Sequence, residues 1–376
     1  MDLEEVLNEI RTQLSEKNIN FLIGSGASVP YFPSLGNIEK ILTERQYSNS
    51  VRQLIYLHYF NEILEKNCEL IDDTHACEYH VTSNYRKFIK GLINIMNYRN
   101  SRISPKRANI FTTNYDMFFE RAIDYEQRIN TSLVFNDGGN GYFLRSLSSD
   151  NFHKTVARNG IFDNYQKELS TINLIKCHGS VNWDRTISEG QEIIVIKNNL
   201  NLLHLISESA MKIKLDNNEK AIVTEYLTTK EVNETLNVKI HEIAETNWIE
   251  LNEFFHMYQK LMIINPEKSK FKNTVMDEYY YSMLRLLSYE LEKDQTIFIV
   301  FGFSFADEHI RNLIKRSVHN PNLRVYIFLY KHGNSKEMID LLNSEYQKNV
   351  IIIEPTVDMP PIDLQHFSRV LFKGVN

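Results

Sequence analysis

The residues able to do chemistry in this chain gather in three short segments, each placed directly after an apolar run. They are Gly24-Ser25-Gly26-Ala27-Ser28, Thr112-Thr113-Asn114-Tyr115-Asp116 and His178-Gly179-Ser180. Glycines in the first permit positive φ and close approach of main-chain N–H groups to a diphosphate, and a following turn or helix start adds positive dipole. The segment lacks the third glycine of the usual dinucleotide fingerprint and the lysine of a P-loop, which speaks against an ATPase. Asn114 donates and accepts, as a ribose hydroxyl or a water requires. Asn114 or Asp116 serves equally as cap of the helix beginning near Met117. His178 supplies an imidazole, suited to general-base work or to a structural hydrogen bond.

Such groups act together only if the fold collects them. Each preceding run reads as a buried strand, and open α/β sheets bind ligands at the C-terminal ends of their strands. Strands are expected over residues 19–23, 110–113, 172–177, 296–301, 323–329 and 349–353, with another at 192–196. Leu3, Val6, Leu7, Ile10 and Leu14 have the spacing of an amphipathic helix. Helices are also expected within 38–98, 238–262 and 276–292, whereas 217–233 reads as either a helix or a surface connection. The alternation of strands and helices predicts an α/β protein with a Rossmann-like, mainly parallel sheet and helices on both faces. Its sheet domain would comprise residues 1–37, 104–190 and 294–376, interrupted by a helical insertion at 38–103 and a helical module at 191–293.

Composition narrows the classes. A chain of 376 residues that is 43% hydrophobic can bury a large core without staples. Net charge of -6 and a pI near 6.1 argue against a chain that lives on nucleic acid or an anionic membrane. Met1-Asp2-Leu3-Glu4-Glu5 lacks the pattern of a signal peptide, and the apolar run at 297–303 is too short to span a bilayer, so a cytoplasmic protein is expected. Cys68, Cys77 and Cys177 are too few for a four-cysteine zinc site, and Cys177 reads as a small buried hydrophobe. No metal is expected.

The three segments, followed by Phe301-Gly302-Phe303-Ser304-Phe305-Ala306-Asp307, resemble in type and order the sirtuin-like NAD-binding family, and in particular its zinc-free bacterial members that act in anti-phage defence. The resemblance implies NAD as substrate, with phosphate contacts from Gly24, Ser25, Gly26, Ala27 and Ser28. It implies ribose contacts from Asn114 and Asp116, catalysis by Asn114 and His178, and adenosine-ribose contacts from Gly302 and Ser304. Asp307 reads as a cap for the next helix. Protein-deacylating sirtuins carry paired Cys-x-x-Cys units after the histidine, but no cysteine follows Cys177 here, so the zinc ribbon is absent and water becomes the expected second substrate. The implied activity is an NAD glycohydrolase, or NADase, that releases nicotinamide and ADP-ribose and depletes NAD in antiviral defence. The alternatives are an NAD-dependent protein deacylase and a non-catalytic nucleotide-binding regulatory subunit. An NAD-destroying enzyme needs control, which points to a homo-oligomer. Relatives found beside a ring-forming DNA-translocating ATPase make such an ATPase a candidate partner.

Overall fold

The computed structural model describes residues 3–374 apart from 30, 33–37, 39–40, 43–46, 73–79, 101–103, 161–164, 230–231, 266–273, 343–347 and 358. Cys77 and parts of the insertion expected at 38–103 lie outside the described residues.

The main strands in chain order are β1 (Asn18–Ile23), β2 (Arg107–Thr112) and β3 (Leu133–Asn136). Short strands follow: β4 (Gly139–Asn140), β5 (Ser146–Leu147), β6 (Ala157–Asn159) and β7 (Gln166–Glu168). Then come β8 (Ser170–Lys176), β9 (Trp183–Ser188), β10 (Gln191–Ile196), β11 (Thr296–Phe301), β12 (Leu323–Phe328) and β13 (Val350–Ile353). Among the described residues, seven of these form one sheet in the order β13-β12-β11-β1-β2-β8-β3. Every pairing within it is parallel. A smaller antiparallel sheet runs β4-β5-β10-β9.

Alternation of apolar side chains builds a core on each face. Ile19, Phe21 and Ile23 of β1, with Ile297, Ile299 and Phe301 of β11, join one core. Leu22, Phe298 and Val300 point to the other. The first core is covered by helices Leu3–Glu16, His80–Tyr98, Phe118–Ile129 and Leu364–Leu371, the second by Thr274–Glu292 and Glu308–Ser317. The expected Rossmann-like architecture is therefore the observed one.

The helical stretches resolve locally. A capping box decides the ambiguous segment: Asp216 accepts from the Glu219 amide at 2.8 Å, Glu219 returns the bond to the Asp216 amide at 2.8 Å, and helix Asn217–Thr228 follows. The helical stretch expected within 238–262 comprises two helices, Glu234–Thr246 and Trp248–Tyr258. They part at Asn247, whose side-chain amide donates back to the Ile243 carbonyl at 2.9 Å. Helix Asn49–Tyr59 of the first insertion packs on Trp248–Tyr258 of the second, with Tyr56 and Tyr258 rings 5.1 Å apart and Gln53 donating to Asn252 at 2.8 Å. No helix among the described residues is long and apolar enough to cross a membrane.

One polar device crosses the sheet. Asn20, Asn109, Asn173 and Asn136 stand in register on β1, β2, β8 and β3. Their side chains form a ladder: Asn109 donates to Asn20 at 2.8 Å, Asn173 to Asn109 at 2.8 Å, and Asn136 to Asn173 at 2.9 Å. A one-residue slip of any strand would set buried amides against apolar neighbours, so the ladder pins the register. Asn109→Ala leaves the Asn20 carbonyl oxygen without this donor and should cost about 1–3 kcal/mol, read as a lowered urea midpoint at unchanged slope.

Candidate functional site

Parallel register brings four strand exits to one level. Ile23 pairs with Thr112 on one side and Phe301 on the other, and Thr112 pairs with Lys176. The chain leaves β1 toward β2 but leaves β11 toward β12, which makes the gap between β1 and β11 the switch point where such sheets open a crevice. Gly24 and Gly302 face each other there.

The two exits interlock. Gly24 donates its amide to the Phe301 carbonyl at 3.0 Å and Gly26 donates to Gly302 at 2.9 Å. A Cβ on Gly24 would lie 2.4 Å from the Gly302 oxygen and 2.6 Å from the Phe303 Cα, both backbone atoms that cannot move aside. The positive φ expected of Gly24 and Gly26 is corrected: Gly24 is extended at φ -102°, and the left-handed glycine of this crevice is Gly302 at +65°. Steric intimacy, rather than handedness, requires glycine at 24 and 26. The expected amide cradle is smaller too, because the Gly24, Gly26 and Ala27 amides are spent on Phe301, Gly302 and Gly24 carbonyls. The loop enters a four-residue 3-10 turn, Ser25–Ser28, so the added dipole is that of a single turn.

On the face that carries Tyr85, the second segment closes on the first. Ser28 donates to an Asp116 oxygen at 2.7 Å, so the Tyr85 hydroxyl, 2.9 Å away, must donate to Ser28. The Asn114 amide donates to the Gly24 carbonyl at 3.2 Å and to Ser28 at 3.3 Å, while its carbonyl oxygen is buried without a hydrogen-bond partner among the described residues. The other Asp116 oxygen accepts from the Phe118 amide at 3.3 Å, so this carboxylate both starts the helix and fixes Ser28. Burial pushes the Asp116 carboxyl above its ordinary range, against the opposing effects of Lys176 and Ser28.

Beneath these groups lies Lys176, the last residue of β8 and 3% exposed. Its ammonium meets Glu120 at 2.6 Å and Ser180 at 2.8 Å, and also donates to the Asp116 carbonyl. One cation thus ties the exit loop of β8 to that of β2.

The third segment lies toward the opposite face. His178 Nε2 meets Asp307 Oδ2 at 2.9 Å, and the Tyr280 hydroxyl donates to the same oxygen at 3.1 Å. Asp307 also caps helix Glu308–Ser317 by accepting from the Ile310 amide at 2.9 Å, as the sequence suggested. Burial alone would raise this carboxyl, but the hydrogen bond and charge of His178, with the Ile310 amide and Tyr280 hydroxyl, hold it at about 2. A depressed carboxyl stabilises the fold above its unfolded value near 3.8, and that stability is lost as pH falls toward 2. Wild-type protein should therefore lose about 2 kcal/mol more than Asp307→Asn between about pH 4 and 2, measured by urea midpoints.

A strap covers the histidine loop. The Ile264 amide donates to the His178 carbonyl at 2.8 Å, Gly179 forms an antiparallel bridge with Ile263, and Ser180 donates to the Met262 carbonyl at 3.2 Å. Gly179, at φ +88°, permits this approach, since a Cβ there would lie 2.0 Å from the Met262 oxygen.

The structure thus joins Gly24, Gly26 and Gly302 in one contact and Ser28, Asn114 and Asp116 in another, with Ala27 buried between the exits. Ser25 and Ser304 are exposed at the rim, and Cys177 is fully buried with its thiol pushed up by burial. His178 touches neither group directly, but reaches the crevice through the Gly302–Asp307 segment. Tyr85, Glu120, Lys176 and Tyr280 lie outside the three segments. Of these, only Lys176 carries a visible signal, a charge between Ile175 and Cys177 in an otherwise apolar run. Among the described residues no group of three or more His, Cys, Asp or Glu is placed to hold a metal ion.

An open parallel sheet with polar groups gathered at its switch point defines a Rossmann-like α/β protein. A SIR2-like domain model matches residues 108–351, well over half of the chain, and the chain belongs to the SIR2-like family. This ties it to NAD. The match begins in β2, so the Gly24 loop stands outside it. No curated protein matches the chain.

Proposed function

We propose that this protein is an NAD glycohydrolase that transfers the ADP-ribosyl group to water, releasing nicotinamide and ADP-ribose, and that it depletes NAD in anti-phage defence. Gly24, Ser25, Gly26, Ala27 and Ser28, with Gly302 and Ser304, would border the dinucleotide. Asn114 would hold a ribose hydroxyl or the attacking water with its unpartnered carbonyl oxygen, and Asp116 would keep Ser28 and the loop in place. His178 would remove the proton.

The observation that favours water over a peptide acceptor is the strap. An extended acyl-lysine peptide entering beside the histidine loop would need main-chain partners, and the His178 carbonyl and Ser180 amide are already taken by Ile264 and Met262, with Gly179 bridged to Ile263 between them. The three cysteines of the chain cannot supply the four ligands of a zinc ribbon. Homo-oligomerisation and a ring-forming DNA-translocating ATPase belong to this reading as means of control.

Purified protein incubated with NAD, with and without acetylated peptide, decides the matter by mass spectrometry. Peptide-independent formation of nicotinamide and ADP-ribose, lost in Asn114→Ala, is the expected result. Release only with peptide would make it a deacylase, and binding without turnover a nucleotide-binding subunit.

A further inference from the structure

We propose that Asp307 and Tyr280 are positioning residues for His178, holding its proton on Nε2 so that Nδ1 is the atom that accepts a proton from the substrate. The identity of that substrate rests on the NAD reading above, whereas the pairing rests on geometry. In the sheet, β8 and β11 are separated by β1 and β2. Their exits start roughly 14 Å apart at the usual strand spacing. A contact of 2.9 Å between His178 and Asp307 therefore requires both loops to lean across the ends of two strands.

The leaning loop bears the marks of that reach. Gly302 and Phe305 are both left-handed, at φ +65° and +59°, and Phe305 is a buried aromatic for which this conformation is strained. Arg311 clamps the turn by donating to the Phe305 carbonyl at 2.7 Å. Simple capping of a helix by Asp307 needs none of this.

The proton inventory then fixes the tautomer. Asp307 is ionised and can only accept, and the buried Tyr280 hydroxyl keeps its proton and donates. The ring nitrogen facing Asp307 must carry hydrogen, which leaves the lone pair of the neutral ring on Nδ1. Among the described residues Nδ1 makes no hydrogen bond, and the side chain remains 15% exposed. In turnover the glycosidic C–N bond breaks with its electron pair leaving on nicotinamide, and the water oxygen bonds the anomeric carbon. Nδ1 takes the proton from that water or from a ribose hydroxyl, whose O–H electrons stay on oxygen, and the resulting imidazolium faces the Asp307 carboxylate.

Asp307→Asn retains an oxygen for the Ile310 amide, so the helix cap survives. It should lower kcat between about tenfold and 10⁴-fold, while the dissociation constant for NAD changes by less than about threefold. Tyr280→Phe should lower kcat by less than about tenfold. The double variant H178A/D307N should be no slower than H178A, because Asp307 acts only through the ring. Two-bond ¹H–¹⁵N spectra of the ring should show the Nε2–H tautomer in wild-type protein and a shift toward Nδ1–H in D307N. Losses that multiply in the double variant, or an Nδ1–H tautomer in the wild type, would overturn the assignment. If the wild type releases no nicotinamide, the NAD reading fails, and the ring spectra still decide the pairing.

Discussion

Alanine at position 178 is expected to slow NAD turnover by about 10²- to 10⁴-fold, the usual contribution of a single general base. The fold should lose no more than about 2 kcal/mol, the part of the Asp307 stabilisation that His178 supplies. Asp307 keeps the Ile310 amide and the Tyr280 hydroxyl as partners, so helix Glu308–Ser317 remains capped when the imidazole is gone. The main-chain bond of His178 to the strap does not depend on its side chain. Thermal melting of His178→Ala within a few degrees of wild type, together with the lost rate, separates a chemical role from a structural one. A rate within twofold of wild type would remove His178 from the mechanism.

The largest stability effect is expected at Lys176. Alanine there removes the cation that meets Glu120 and leaves the Ser180 hydroxyl and Asp116 carbonyl without their donor. Breaking a buried pair from one side costs about 3–5 kcal/mol, because the remaining charge stays desolvated. Burial already pushes the Glu120 carboxyl up, and Lys176 restrains the shift. The sign with pH follows: a carboxyl with a raised value loses stability as pH rises, so the deficit of Lys176→Ala should shrink as pH falls toward 4.5, where Glu120 can neutralise itself. Lys176→Met combined with Glu120→Gln removes both charges and should recover more than half of the loss. Urea midpoints at two pH values test all three statements. Because Lys176 joins the loops that bear Asn114 and His178, a surviving single variant should also turn over more slowly.

Much of the scaffold is legible in the order of residues alone. The strand at 296–301 and the helices starting near Leu3 and Met276 announce themselves through apolar spacing, which acts locally. The succession of glycine, asparagine and histidine segments is equally plain, because each follows a buried run. Less legible are β3, only four residues long, and the division at Asn247, where one amide ends a helix inside a helical pattern. The partner of His178 is hidden for another reason. Asp307 lies 129 positions away and already has a sufficient explanation as a helix cap.

Hydrophobic period and turn chemistry are properties of neighbouring residues, and they suffice to dictate an α/β chain with its polar segments placed after buried strands. It took the packed molecule to establish that Gly24 must be glycine to fit against Gly302, that four asparagines join across the sheet, and that Asp307 meets His178. Those outcomes depend on backbone approach and hydrogen-bond geometry between residues far apart in the chain, which leave no local period to read.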